Sequence, residues 1–131
     1  MLSVYFSRSA QESDEDRVEM FKDQHIIEPG TKESCDELIR KKNIKDANGN
    51  NKERNTFIFS TFEEVKDICT EKQRVYKNDN LYRSSEEMEI LYCKLQYDKK
   101  TYKGVKIKKH IEIACVKIGS GLQPVHFECC C

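Results

Sequence analysis

At 131 residues, with 37% hydrophobic and 35% charged side chains, the chain suffices for one domain with its own core. Its 23 basic and 23 acidic residues cancel, which excludes polyanion binding driven by net charge and leaves that task to local patches. No run approaches the roughly 18 apolar residues of a membrane span, and Met1–Phe6 has neither the basic start nor the apolar centre of a signal peptide.

Residues 7–14 read as a fraying lead-in, so that 1–14 form a flexible segment ahead of a folded unit over 15–128. Ser13-Asp14-Glu15-Asp16 starts a helix with an acidic first turn, and Val18, Phe21 and His25 follow on one face. Pro29-Gly30 is expected to end that element. Thr31-Lys32-Glu33-Ser34 starts a second helix, Cys35 to about Lys42, with Cys35, Leu38 and Ile39 inward. Asn48-Gly49-Asn50-Asn51 is a turn. From Asn55 to Thr61 the aromatic and β-branched residues read as a strand. Thr61 then caps a short helix that carries Val65 and Ile68 and is closed by Cys69.

The hydrophilic run 70–86 holds a short strand near Arg74-Val75-Tyr76 and turns at Asn78-Asp79-Asn80 and Ser84-Ser85. Glu87–Tyr97 alternates Met88, Ile90 and Tyr92 against Glu87 and Glu89, a strand pattern. Asp98-Lys99-Lys100 with Gly104 is expected to turn the chain. Val105–Ile118 has the strongest strand pattern of all, with His110 read as an exposed ladder residue within it. Gly119-Ser120-Gly121 turns again, and Gln123–Glu128 is a last short strand. Helices early and antiparallel strands late make the class α+β.

Cys35, Cys69, Cys93 and Cys115 lie far apart in or beside apolar segments, with no C-x-x-C pair to favour zinc. Composition leaves two long-range disulfides in an exported domain beside a second reading, buried free thiols. Lys52 at a strand entrance suits an anion, although most such lysines are simply solvated.

Four segments together resemble the pancreatic ribonuclease A superfamily: Phe21-Lys22-Asp23-Gln24-His25, Lys52-Glu53-Arg54-Asn55-Thr56-Phe57, Lys109 to Cys115, and Pro124-Val125-His126-Phe127-Glu128. The second matches the family's Cys-Lys-x-x-Asn-Thr-Phe signature and the fourth its Pro-Val-His-Phe-Asp ending. The interval from Cys93 to Cys115 is closest to the amphibian-type members. The resemblance covers roughly residues 18–128. It implies a ribonuclease A-like fold, three short helices with a long bent antiparallel sheet, bridged by Cys35–Cys93 and Cys69–Cys115.

It also implies a chemistry. His25 would be the base that activates the 2′-hydroxyl and His126 the acid that protonates the leaving oxygen, with Lys52 facing the phosphorane-like charge. Gln24, Asn55, Thr56, Phe127 and Glu128 would bind substrate: Gln24 and the Phe127 amide at the phosphate, Thr56 at the pyrimidine edge, Glu128 orienting His126. RNA would be the substrate, with no metal or other cofactor.

Departures from the family pattern carry their own expectations. Asn51 and Lys100 stand where the family has a further disulfide, so the Lys52 loop should be looser and the protein less stable. Glu128 replaces an aspartate, and Val116 a glutamate of the second base site. The tail Cys129-Cys130-Cys131 has no expected internal partner, since Glu112 occupies the usual position; intermolecular pairing, a vicinal link and a disordered tail stay open. The reading is a secreted, pyrimidine-preferring endoribonuclease, otherwise monomeric. The alternative is a weakly active or non-catalytic host-defence or glycan-binding protein on the same fold.

Overall fold

The computed structural model describes residues 13–70, 74–75 and 80–130. Helix α1 spans Asp14–His25, where Ser13 accepts a hydrogen bond from the Asp16 amide and Val18, Phe21 and His25 are buried. It ends earlier than Pro29-Gly30 because Ile26–Ile27 turn extended as strand β1, pairing in parallel with Ile58 and Phe59. Helix α2, Cys35–Lys41, opens with a capping box between Ser34 and Glu37 and buries Cys35, Leu38 and Ile39, as expected. In the turn that follows, the Asp46 carboxylate accepts from the amides of Asn48 and Asn50, and Gly49 takes φ +82°. Strand β2, Arg54–Phe59, leads into helix α3, Phe62–Lys66, capped by Thr61 and Glu64.

The remaining strands are β3 (Leu81–Arg83), β4 (Met88–Leu95), β5 (Tyr102–Lys109), β6 (Ile111–Ile118) and β7 (Gly121–Cys130). They form two sheets, ordered β1-β2-β4-β5 and β3-β6-β7. The expected strand near Arg74-Val75-Tyr76 reduces to a bridge between Arg74 and Tyr82, and Tyr76 lies outside the described residues, as do Asn78, Asp79 and the stretch 1–12.

Strands β2 and β4 are buried on both faces, and this divides the core in two. Ile58 and Ile90 point into a cluster with Phe21, Val65 and Ile113, whereas Phe57 and Cys93 point into one with Leu38, Ile39 and Ile44. Period-two geometry requires this split: neighbours on a strand face opposite sides. Each half carries one disulfide. Cys69–Cys115 lies in the first cluster and Cys35–Cys93 in the second, spanning 46 and 58 residues.

Three expectations are corrected. The run Val105–Ile118 is not one strand: it breaks at His110, where the imidazole contacts the Ser84 carbonyl and the Ser84 hydroxyl accepts from the Ile111 amide. Ser84 thus takes the place of a ladder partner, and His110 is half-buried rather than exposed, while the α+β class, short helices with antiparallel-rich sheets, is as expected. Gly104 makes no turn. It lies in β5 opposite Cys93, where a Cβ would come within 2.7 Å of Cys35 Sγ. The turn is made at Asp98-Lys99-Lys100, as expected, and closes at Thr101, with Lys99 at φ +61°. Finally, β7 runs past Glu128 to Cys130, pairing Cys129 with Glu112, and Cys129 is disulfide-bonded, so the segment after Glu128 is strand rather than a disordered tail.

Replacing Cys69 and Cys115 together by alanine should lower the unfolding free energy by about 4 kcal/mol in a denaturant titration, on the chain-entropy model for a loop of this length. An unchanged midpoint would contradict the cross-link's part in the core.

Candidate active site

Between α1, the entrance of β2 and the outer half of β7 lies a cleft of about 660 Å³. His25, Lys52 and His126 line it together, and so do Gln24, Asn55, Thr56, Phe127 and Glu128. Residues from Gln24 to Glu128, at opposite ends of the folded chain, therefore meet at one surface.

His25 stands on the last turn of α1 and is 8% exposed. Its ring lies between Phe21, at 5.3 Å, and Phe127, stacked at 5.4 Å. Nδ1 is 2.8 Å from the Thr56 carbonyl oxygen. A carbonyl can only accept, so Nδ1 carries the proton and Nε2 is left as the basic nitrogen. Burial pushes the pKa down from 6.5 to about 4; the Thr56 bond opposes that shift, while the charges of Lys52 and His126 add to it. In the free protein near neutrality His25 is a neutral acceptor.

Lys52 is half-buried just before β2, and burial lowers its pKa. Its ammonium donates to Asn55 Oδ1 at 3.0 Å and Gln24 Oε1 at 3.4 Å. Both acceptors are neutral amides, so much of the cation's charge stays available for an anion. Asn55 is itself held by a 2.8 Å bond from Nδ2 to the Gln24 carbonyl. The backbone is fixed separately: the Tyr102 hydroxyl donates to the Lys52 carbonyl, and the Leu95 amide to that of Glu53. Where a looser loop is expected, hydrogen bonds span the gap. Asn51 Nδ2 donates to the Lys99 carbonyl at 2.8 Å.

On β7 the register slips twice against β6, leaving Val125 and Glu128 without a partner on either side of the pair His126-Phe127. Such bulges re-aim side chains, and here they sit where the strand borders the cleft. His126 is exposed, and Nε2 lies 2.9 Å from Glu128 Oε1. The extra methylene of glutamate does not prevent contact. With Nε2–H donating to the carboxylate, Nδ1 is the nitrogen free to exchange a proton with a ligand.

Arg17, Met20, Arg54 and Tyr92 also line the cleft, and the sequence reading missed them. Tyr92 pairs directly with Thr56 across β2 and β4, so the strand register, had it been known, would have found it. Val116 lies opposite Gln123 on β6 and is not among the lining residues.

The family described as pancreatic ribonuclease matches residues 16–128. The chain is 33% identical over 124 residues to a pancreatic ribonuclease of Camelus dromedarius, covering 87% of this chain and 97% of that one. Among solved structures, green turtle egg white ribonuclease superposes with a TM-score of 0.74 at 24% identity, covering 88% and 98%. Zebrafish RNase5 superposes at 0.70 and 26%, covering 87% and 93%.

The depressed His25 pKa has a thermodynamic signature of definite sign. On acidification the unfolded chain takes up this proton near 6.5, before the folded one does near 4. The contribution is therefore intact above pH 6.5 and lost as pH falls toward 4, to a total of roughly 3 kcal/mol. In His25→Asn, unfolding free energy measured against pH should be flatter across this window; an equal slope would contradict the burial argument.

Proposed function

Since the chain belongs to the pancreatic ribonuclease family, we propose that it is a secreted endoribonuclease that cuts RNA on the 3′ side of pyrimidines through a 2′,3′-cyclic phosphate. The observation that carries this reading is the meeting in one cleft of two histidines, one buried against the Thr56 carbonyl and one exposed beside Glu128, with a cation between neutral amides. His25 Nε2, neutral and buried, takes the proton of the 2′-hydroxyl, and that oxygen attacks the adjacent phosphorus. Negative charge grows on the non-bridging oxygens, where the Lys52 ammonium, Gln24 and the Phe127 amide stabilise it.

The bond to the 5′-oxygen then breaks, and that oxygen takes the proton from His126 Nδ1. Glu128, 2.9 Å from Nε2, accepts from the ring and orients it so that Nδ1 faces the leaving oxygen. Hydrolysis of the cyclic phosphate runs the roles in reverse: His126 activates water and His25 returns its proton to the 2′-oxygen. Asn55 holds the Lys52 ammonium. Thr56, buried beside His25, reads the pyrimidine edge with amide and hydroxyl. DNA lacks the attacking hydroxyl and is not cleaved. Two long-range disulfides fit an oxidising compartment.

A second reading, binding to an anionic glycan or cell surface without turnover, draws on β5. This sheet-edge strand carries Lys103, Lys106, Lys108 and Lys109 and no acidic residue, in a chain of zero net charge. Such binding would survive His25→Ala unchanged, and its loss in that variant would remove the reading.

With a uridylyl-adenosine dinucleotide, the protein should release the cyclic phosphate with a bell-shaped pH dependence. Lys52→Ala should lower kcat by about a hundred- to a thousandfold, the usual cost of losing a preorganised charge donor, and His126→Ala should abolish nearly all turnover. No product above a heat-killed control would overturn the proposal.

A further inference from the structure

Lys52 has no carboxylate partner among the described residues: its ammonium meets two neutral amides, one of them at 3.4 Å. The cation's place in the cleft is therefore set through its backbone as well as through Asn55 and Gln24. The residue before it, Asn51, is half-buried and bonded at both ends of its side chain. Oδ1 accepts from the Lys45 ammonium at 2.8 Å, and Nδ2 donates to the Lys99 carbonyl at 2.8 Å. The backbones of Lys45 and Asn51 also bridge. Three segments that are separate in sequence, near 45, 51 and 99, are tied at this one amide.

The residue type fits the task. Only a carboxamide offers an acceptor and a donor on one short, planar group, and a cation on its oxygen makes the N–H a stronger donor. The receiving carbonyl is also prepared. Lys99 takes φ +61°, a region that side-chain-bearing residues rarely occupy. It is kept there by Asp98, whose carboxylate accepts from the amides of Lys100 and Thr101 and from the Thr101 hydroxyl at 2.7 Å. The same hydrogen bonds hold the Asp98 carboxyl below the usual carboxylate range.

We infer that Asn51 is a positioning residue for Lys52: its carboxamide, strung between Lys45 and the Lys99 carbonyl, sets where the Lys52 ammonium stands in the cleft. Tyr102, donating to the Lys52 carbonyl, anchors the other side of the same short segment. A small displacement of a charge-stabilising group costs rate without costing substrate affinity, because the charge it answers develops in the transition state. The inference rests on Lys52 serving as the cation at the scissile phosphate.

The test is a double-mutant cycle on the full chain. Asn51→Ala, and the isosteric Asn51→Asp, which keeps the Lys45 contact but loses the donor, should each lower kcat by about tenfold with KM within about twofold. In a Lys52→Ala background the same changes should cost less than about twofold. An equal loss in both backgrounds, or a lower melting temperature with kcat untouched, would overturn the inference. A reading independent of turnover is the pH midpoint of Lys52 amine labelling. It should rise toward that of an ordinary lysine when Asn51 is replaced and the ammonium is no longer held in its half-buried place, and an unmoved midpoint would overturn the inference. If the wild type forms no cyclic phosphate, the nuclease reading falls and the labelling still decides the role of Asn51.

Discussion

The hydrogen bond from His25 Nδ1 to the Thr56 carbonyl joins the helix that opens the described structure to the strand at its centre. It fixes three things at once. It sets the imidazole tautomer, so that Nε2 is the basic atom. It places α1 across the mouth of β2, where Gln24 can reach Lys52 and the Gln24 carbonyl can receive Asn55. And it satisfies a buried ring nitrogen that would otherwise weaken the core that Phe21 and Phe127 build around it. One contact serves both the core and the cleft, which is why His25 is buried and nonetheless lines the cleft.

The rest of the architecture serves to hold that contact against β7. With β2 and β4 buried on both faces, the two half-cores grip the central strands from opposite sides, each stapled by a disulfide. Strand β6 carries Ile111, Ile113 and Cys115 into one of those cores and presents its edge to β7. The two slips in register then fall around His126-Phe127. Phe127 stacks on His25 while the neighbouring His126 stays exposed and reaches Glu128. A rigid interior and an irregular outer strand divide the work between them: one buries His25, the other leaves His126 in contact with solvent.

Much of this was legible in the residues. The caps Ser13, Ser34 and Thr61 announce their helices, because a hydroxyl before an acidic turn has one common use. The face Val18, Phe21, His25 follows from helical spacing, and the residues that the four matching segments single out, His25, Lys52 and His126 among them, line one cleft. What stayed hidden depends on contacts between distant segments. Apolar residues keep the odd positions of Val105–Cys115 on both sides of Lys109, and the end of the strand at His110 answers to Ser84, twenty-six residues earlier. Gly104 reads locally as a turn, whereas its missing side chain answers to Cys35. Strand β1 is two residues long, too short for any period, and the role of Asn51 requires knowing that residues 45 and 99 stand beside it.

The account depends on His25, Lys52 and His126 acting on a single anion, and a crystal structure with inorganic phosphate bound would test that most directly. One phosphate should stand within hydrogen-bond distance, about 3 Å, of His25 Nε2, Lys52 Nζ and His126 Nδ1 together. A phosphate held by one of the three alone, or a cleft left empty while phosphate binds elsewhere, would contradict it.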